Sequence, residues 1–292
     1  MIVGVNMKKI LITGENSYIG NAFKEWISSI NEYKIDIISV RNNLWEKVDF
    51  SYYDVVIHMA ALVHKKEKEN QRNEFIKINT TLAYKIAKKA KKCGVKQFIL
   101  MSTMAVYGLN GTVGKNIVID RNTKLKPTTL YGISKLKAEE KIDKLNGDIF
   151  KVVIIRSPIV YGRNCPGNFS MLKKYATKMI VFPKISNYRS MIYIDNLTEF
   201  IKMIIDNEEQ GLFFPQNKQY INTSEIVKVI VEANNKKIYL SLLLGIIIKI
   251  LSLFSKFINK VFGNLVYSKE ISNYKNNEYC VVGFVDSIKA CD

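Results

Sequence analysis

Between residues 9 and 156 short apolar runs alternate with longer stretches in which apolar residues recur every three or four positions, and this alternation leaves few folds open. The runs are residues 9–13, 35–40, 54–59, 97–101 and 151–156. A short apolar run reads as a strand buried on both faces, and the longer spacing reads as an amphipathic helix. Strands and helices in strict turn build an open parallel sheet with helices on both faces. The expected class is therefore α/β, a doubly wound parallel sheet over residues 7–157. Beyond Arg156 the alternation fades, so residues 158–292 are expected to form a smaller, mixed α/β lobe, with the chain free to cross back into the sheet domain.

The first run ends in Thr-Gly-Glu-Asn-Ser-Tyr-Ile-Gly, and Phe23, Trp26, Ile27 and Ile30 follow at helical spacing. A strand that turns tightly into a helix aims backbone N–H groups and the positive helix end at an anion, and glycine is needed where the chain nears a pyrophosphate. Gly14 and Gly20 are placed for this, with Ser17 where a middle glycine is usual, followed by Tyr18 and Ile19. An ordinary strand-to-helix turn is the competing reading. At the end of the second run a dinucleotide-binding unit often carries an acidic residue for the ribose; here the chain reads Val40-Arg41-Asn42. Arg41 can meet a 2′-phosphate or be a solvated loop cation, which keeps NADP open beside NAD. Asp49, at the tip of an expected short third strand, can accept from an adenine amino group. The run at 54–59 ends in His58-Met59-Ala60-Ala61, and small residues there allow a cofactor to lie on the backbone at Ala60 and Ala61. His58 reads as a half-buried, satisfied imidazole rather than a catalytic group.

The formal net charge is +18, from 44 Lys and Arg against 26 Asp and Glu. The lysines are scattered among Ile and Asn, which suits attraction of small anions better than nucleic-acid binding. Four cysteines stand far apart beside only two histidines, so neither a zinc site nor a disulfide frame is expected. The apolar run after Lys9 stops at Thr13, too short for a secretory core; a cytoplasmic protein is expected, with Met7 as an alternative start.

Tyr131 and Lys135 in Tyr-Gly-Ile-Ser-Lys lie one turn apart on an expected helix that starts after Pro127 and stops near Gly147, so phenol and ammonium share a face. Alone, the pair also reads as an aromatic packed under a lysine stem. Together with the glycine turn, His58-x-Ala60-Ala61, Ser102-Thr103-x-x-Val106-Tyr107-Gly108, Arg156-x-Pro158-x-Val160-Tyr161-Gly162 and Arg189-x-x-x-Tyr193-x-Asp195, it makes the chain resemble the extended short-chain dehydrogenases/reductases. The resemblance is to the NAD-dependent epimerase/dehydratase family and its UDP-glucose 4-epimerase-like members. It implies a Rossmann-type domain with a C-terminal substrate-binding lobe, bound NAD, a UDP-sugar substrate and a homodimer serving surface polysaccharide synthesis. It assigns Tyr131 as acid/base, Lys135 as the cation that favours the phenolate and holds the nicotinamide ribose, and Thr103 as the hydroxyl on the reacting oxygen. It assigns Asn168 and Arg189 to the nucleotide sugar. The family's 4,6-dehydratases carry Asp-Glu after the catalytic threonine, where this chain has Met104 and Ala105, so dehydration is discounted. A UDP-hexose or UDP-N-acetylhexosamine 4-epimerase is the leading expectation. A reductase of a UDP-4-keto sugar comes next, and a non-catalytic dinucleotide-binding scaffold is the alternative of another class.

Residues 240–262 are dense in Leu, Ile and Phe, but Ser241, Gly245, Lys249, Ser252, Lys256 and Asn259 recur every three or four residues. That predicts one amphipathic helix rather than a membrane span. Core or dimer packing is the first expectation for its apolar arc, a lid over the substrate the second and a membrane surface the third. Asp195 is expected to cap a helix starting at Asn196, and Asn222 to open one reaching Ala233.

Overall fold

The computed structural model describes residues 7–63 and 67–291, except the side chain of Asn168. The chain divides into two compact units, and not at a single cut. The first comprises residues up to 108, 125–157 and 198–214; the second comprises 109–124, 158–197 and 215 onward.

The first unit is built on six parallel strands: β1 (Lys8–Thr13), β2 (Tyr33–Ile38), β3 (Val55–His58), β4 (Gln97–Thr103), β5 (Lys151–Ser157) and β6 (Gly211–Phe213), in the order β6-β5-β4-β3-β1-β2. The register sets Thr13 beside His58 and Thr103 beside Ser157. β3 is buried along its whole length and β4 to its last residue, as a sheet covered on both faces requires. On one face Leu11, Val56, Phe98 and Val152 pack with Ala83, Ala87, Ala90 and Ala138. Alanines at those helix positions let α3 (Ala83–Lys92) and α4 (Leu130–Asp143) approach the sheet closely. Burying each large apolar side chain contributes roughly 1.5–3 kcal/mol. The strand order reverses direction between β1 and β3, and in open α/β sheets ligands bind beyond the carboxyl ends of the strands at such a point.

Two expectations for this unit change. β2 runs from Tyr33 to Ile38 rather than through residue 40. No strand forms around Asp49: the segment folds into two 3₁₀ turns, Asn43–Lys47 and Phe50–Tyr52. Asn42 accepts from Leu44 N–H at 3.2 Å and Asp49 from Ser51 N–H at 2.9 Å, the local bond by which Asn and Asp turn the chain instead of extending it. The long helix after residue 71 is also not regular. Between α2 (Arg72–Phe75) and α3 lies a π-helical stretch, Ile76–Leu82.

The second unit contains three two-stranded parallel pairs, Ile159–Tyr161 with Met191–Tyr193, Val181–Pro183 with Tyr239–Ser241, and Val118–Ile119 with Val266–Tyr267. Its helices include Thr223–Ala233, capped by Asn222 as the sequence suggests. Helix α5 (Ile194–Asp206) begins in this unit and has its body, from residue 198, in the first. Asp195 lies within its first turn rather than before it, where a carboxylate still favours the positive helix end. The apolar stretch forms two helices, α6 (Leu242–Leu251) and α7 (Lys256–Phe262), each capped by a serine, Ser241 and Ser255.

Candidate active site

The turn that follows β1 is tight because of Gly14. Its φ is +117°, and a Cβ there would stand 2.9 Å from the Ala60 nitrogen, so only glycine lets this turn press against the end of β3. α1 (Tyr18–Trp26) opens directly after it, with no acidic residue in its first turn. Ser17, in the place of the usual middle glycine, is its N-cap and accepts from Gly20 N–H at 3.1 Å. Gly20 is buried, where a Cβ would sit 3.1 Å from an Ile12 methyl. Tyr18 and Ile19 are half-buried in the first turn, and Ala60 and Ala61 are half-buried just after β3. The first unit thus brings Gly14, Ser17, Tyr18, Ile19, Gly20 and Ala60 to one carboxyl edge. Arg41 is an exposed residue three positions past β2. Asp49 is exposed, and its bond from Ser51 N–H to Oδ1 holds the carboxyl below the usual range.

At the end of β4, the Thr103 hydroxyl accepts from Ala105 N–H at 3.1 Å and lies near enough to the Tyr131 phenol to favour its ionised form. Tyr131 and Lys135 lie on α4, whose start is firmly pinned. Thr129 accepts from Gly132 N–H at 3.0 Å, and Glu67 accepts from the N–H groups of Leu130 and Tyr131 at 2.8 and 3.1 Å. From the π-helical stretch, buried Asn79 donates to Ser134 Oγ at 2.9 Å and buried Thr80 to Ser134 O at 2.7 Å. Ser134 in turn donates to Tyr131 O at 2.8 Å. A widened turn re-aims side chains out of the regular helical phase, and here it aims two of them at the turn that carries Tyr131.

Burial pushes the Tyr131 phenol up to about 12, opposed by the nearby Thr103 hydroxyl. Burial lowers Lys135 to about 8, with the Glu139 carboxylate pulling the other way. His58 is fully buried rather than half-buried, and its Nδ1 lies 2.7 Å from Thr13 Oγ1. Its Nε2 has no hydrogen-bond partner among the described residues. Burial first, and the Lys135 charge second, lower it to about 3, so the ring is neutral near pH 7.

Sequence reasoning missed Glu139, although its spacing continues the 131, 135 series by one turn. It is buried and accepts from Arg156 Nε at 3.2 and 3.1 Å and from Arg156 Nη2 at 2.7 Å. It also accepts from Ser102, and Arg156 Nη1 donates to Tyr107 Oη at 2.9 Å. The Glu139 carboxylate, one turn along α4 from Lys135, thus joins the motif residues Ser102 and Arg156, and Arg156 carries the link on to Tyr107.

Asn168 and Arg189 belong to the second unit. The Asn168 side chain lies outside the described residues. Arg189 Nη1 donates to Lys260 O at 2.8 Å and to Gly263 O at 3.1 Å, at the carboxyl end of α7.

Known proteins place this arrangement. The chain is 28% identical over 242 residues to the UDP-glucose 4-epimerase of Vibrio cholerae, a match spanning 80% of this chain and 73% of that one. Structurally it is similar to the UDP-glucuronic acid 4-epimerase from Bacillus cereus in complex with NAD, with TM-score 0.73, 17% identity and 97% and 96% of the two chains covered. It is also similar to the dTDP-4-dehydrorhamnose reductase from Bacillus anthracis in complex with NADP, with TM-score 0.64, 20% identity and 80% and 83% covered. dTDP-D-glucose 4,6-dehydratases are among the relatives as well. The sequence profile of one family matches residues 10–214 of the 292, spanning the glycine turn, Thr103, Tyr131 and the buried Lys135, and the chain belongs to the NAD dependent epimerase/dehydratase family.

Proposed function

We propose that this chain is a nucleotide-sugar 4-epimerase acting on a UDP-hexose or UDP-N-acetylhexosamine. The observation that carries the reading is the placing of Thr103 near the Tyr131 phenol, one helical turn from buried Lys135, with a thioether and a methyl at Met104 and Ala105. Neither of those two side chains can take or give a proton, so the residues around Thr103 suit redox chemistry at one carbon and not elimination.

The close approach of Gly14 to Ala60 and the open first turn of α1 fit a dinucleotide pyrophosphate. Gly14, Ser17, Tyr18, Ile19, Gly20, Ala60, Ala61 and Lys135 would hold NAD, which when bound supplies the hydride acceptor and donor. The chain's own task is to move one proton off the C4 oxygen of the sugar and return it. Tyr131 is the acid/base for that proton, and Thr103 orients the oxygen by a hydrogen bond. With its phenol near 12, Tyr131 is an acid at neutral pH and becomes a base only when positive charge is added nearby. Lys135, lowered to about 8, carries its proton through most of the neutral range and contributes that charge once the site is filled. Arg189 would grip the UDP pyrophosphate with the guanidinium donors that Lys260 and Gly263 leave over.

A second reading is favoured by Arg41 and by the lack of a carboxylate at the end of β2: an NADPH-dependent reductase of a UDP-4-keto sugar, using the same residues in one direction. The test follows the anomeric protons of UDP-glucose, UDP-galactose and their N-acetyl counterparts by NMR and identifies the nucleotide that co-purifies. Interconversion of one pair with NAD retained is the expected result. No interconversion, with NADPH consumed on a 4-keto sugar, would overturn the epimerase. Unchanged activity in Tyr131→Phe would remove Tyr131 from the chemistry in both readings.

A further inference from the structure

Helices α6 and α7 do not bury their apolar arc in the core, one of the expectations the sequence offered for it. Of the small and polar stripe, Gly245 and Ser252 are buried and Ser241 and Asn259 half-buried against the rest of the second unit, while Lys249 and Lys256 are exposed. Gly245 is buried so tightly that a Cβ would come within 2.3 Å of the Lys184 carbonyl oxygen. Ser252 is buried, and Asn259 accepts from Val113 N–H at 2.9 Å while donating to Ser252 O at 2.5 Å. The apolar arc is left outside: Leu243 is 67% exposed, Ile246 57%, Leu253 77%, Phe254 85% and Phe257 73%. Leu253 and Phe254 form the apex between the helices, where a loop tip ordinarily carries small or polar residues. Scattered exposed apolar residues are ordinary, but a contiguous face of this kind marks a binding surface.

We propose that the α6–apex–α7 face docks the protein on the surface of an anionic lipid membrane, lying in the headgroup region with the Leu253–Phe254 apex inserted. Length excludes a span: α6 has ten residues, about 15 Å of helix, against a hydrocarbon core of about 30 Å. Among the described residues no helix is long and apolar enough to cross a membrane. Charge selects the partner. Between Glu232 and Glu270 the chain has no acidic residue, and it carries Lys236, Lys237, Lys249, Lys256, Lys260 and Lys269. Lysine stems can lie along an apolar surface while their ammonium groups reach lipid phosphates. A second copy of the chain fits less well, because a two-fold contact would set these lysines against the same lysines with no carboxylate of the stretch between them. The proposal stands on the second unit alone and does not depend on the reaction assigned to the first.

The test is flotation of the full chain with vesicles of phosphatidylcholine, alone or mixed with phosphatidylglycerol, at low and high salt. Binding to the mixed vesicles that weakens with salt is expected, with little binding to phosphatidylcholine alone. The triple variant Ile246→Ser/Phe254→Ser/Phe257→Ser, checked for native circular dichroism, should lose at least ~10-fold in bound fraction, since interfacial binding scales with the apolar area inserted. If that variant does not fold, Lys249→Gln/Lys256→Gln leaves the apolar arc intact and should lower partitioning roughly fivefold per lysine. The proposal is overturned if the wild type stays free of phosphatidylglycerol vesicles, if the folded triple variant binds them as well as the wild type, or if light scattering shows a dimer that the triple variant abolishes while vesicles bind neither form.

Discussion

Replacing Glu139 by alanine should be among the most destabilising single changes in the first unit. Its carboxylate and the Arg156 guanidinium have side chains only 4% and 9% exposed, and alanine would leave the guanidinium buried opposite a methyl, with Tyr107 still accepting at 2.9 Å. Breaking one partner of a buried pair typically costs about 3–5 kcal/mol, a large share of a total domain stability of about 5–15 kcal/mol. The loss also removes the acceptor of Ser102 and the one charge that supports Lys135, so Lys135 should titrate below its value of about 8. Both tryptophans, Trp26 and Trp45, lie in the first unit, so the urea dependence of their fluorescence reports that unit selectively. Glu139→Ala should shift the midpoint by the full amount. The double variant Glu139→Leu/Arg156→Met should recover much of it, because the guanidinium is then no longer left buried without its carboxylate. A Glu139→Ala loss under ~1 kcal/mol, or a double variant costing the sum of the two singles, would refute the account of a dehydrated, mutually dependent pair.

Lys135→Met should stabilise the protein while abolishing turnover. The folded-state pKa of Lys135 is lowered from 10.5 to about 8, so the unfolded chain holds more protons between those values and wild-type stability rises with pH across that window. Below about pH 8 the penalty is fully present, on the order of 3 kcal/mol. The gain in the variant's urea midpoint should therefore be largest at pH 7 and vanish above about 10.5; an equal gain at both would refute the assignment. Gly132→Ala should damage the site without touching a reacting group. The added Cβ would come 2.6 Å from the Ala105 carbonyl oxygen and 3.1 Å from Pro127, so the chain just past Thr103 or the start of α4 must shift. Overpacking of this kind costs about 1–3 kcal/mol, and the larger effect is expected in kcat with KM little changed; wild-type kcat would show that the Thr103–Tyr131 distance tolerates the shift.

The parallel sheet was legible because burial on both faces leaves an uninterrupted apolar run, which appears in the sequence without knowledge of the partners. The glycine turn was legible because Gly14 needs a backbone angle that other residues resist. Asp49 was misplaced for the converse reason: an Asp-Phe-Ser stretch suits a strand tip or a local turn about equally, and the side-chain bond to Ser51 decided it. Glu139 carried no distinguishing mark, since a Glu on a lysine-rich helix usually faces water; only Arg156, brought in from β5, made burying it tolerable.

From the sequence alone follow the strand-helix alternation, the cradle at Gly14 and Gly20, and the pairing of Tyr131 with Lys135, because each rests on spacing within an element or on a backbone requirement of one residue; Thr103, on another element, joined that pair only through the family resemblance. Only the tertiary structure decided what those groups experience and which faces meet. Burial raised the phenol and lowered the lysine, a π-helical turn far along the chain aimed Asn79 and Thr80 at α4, and the two apolar helices presented Leu242, Leu243, Leu251 and Phe257 outward. Periodicity shows that a helix has an apolar face. Which side of it the rest of the chain covers depends on packing space, and at Gly245 that space admits a hydrogen atom and nothing larger.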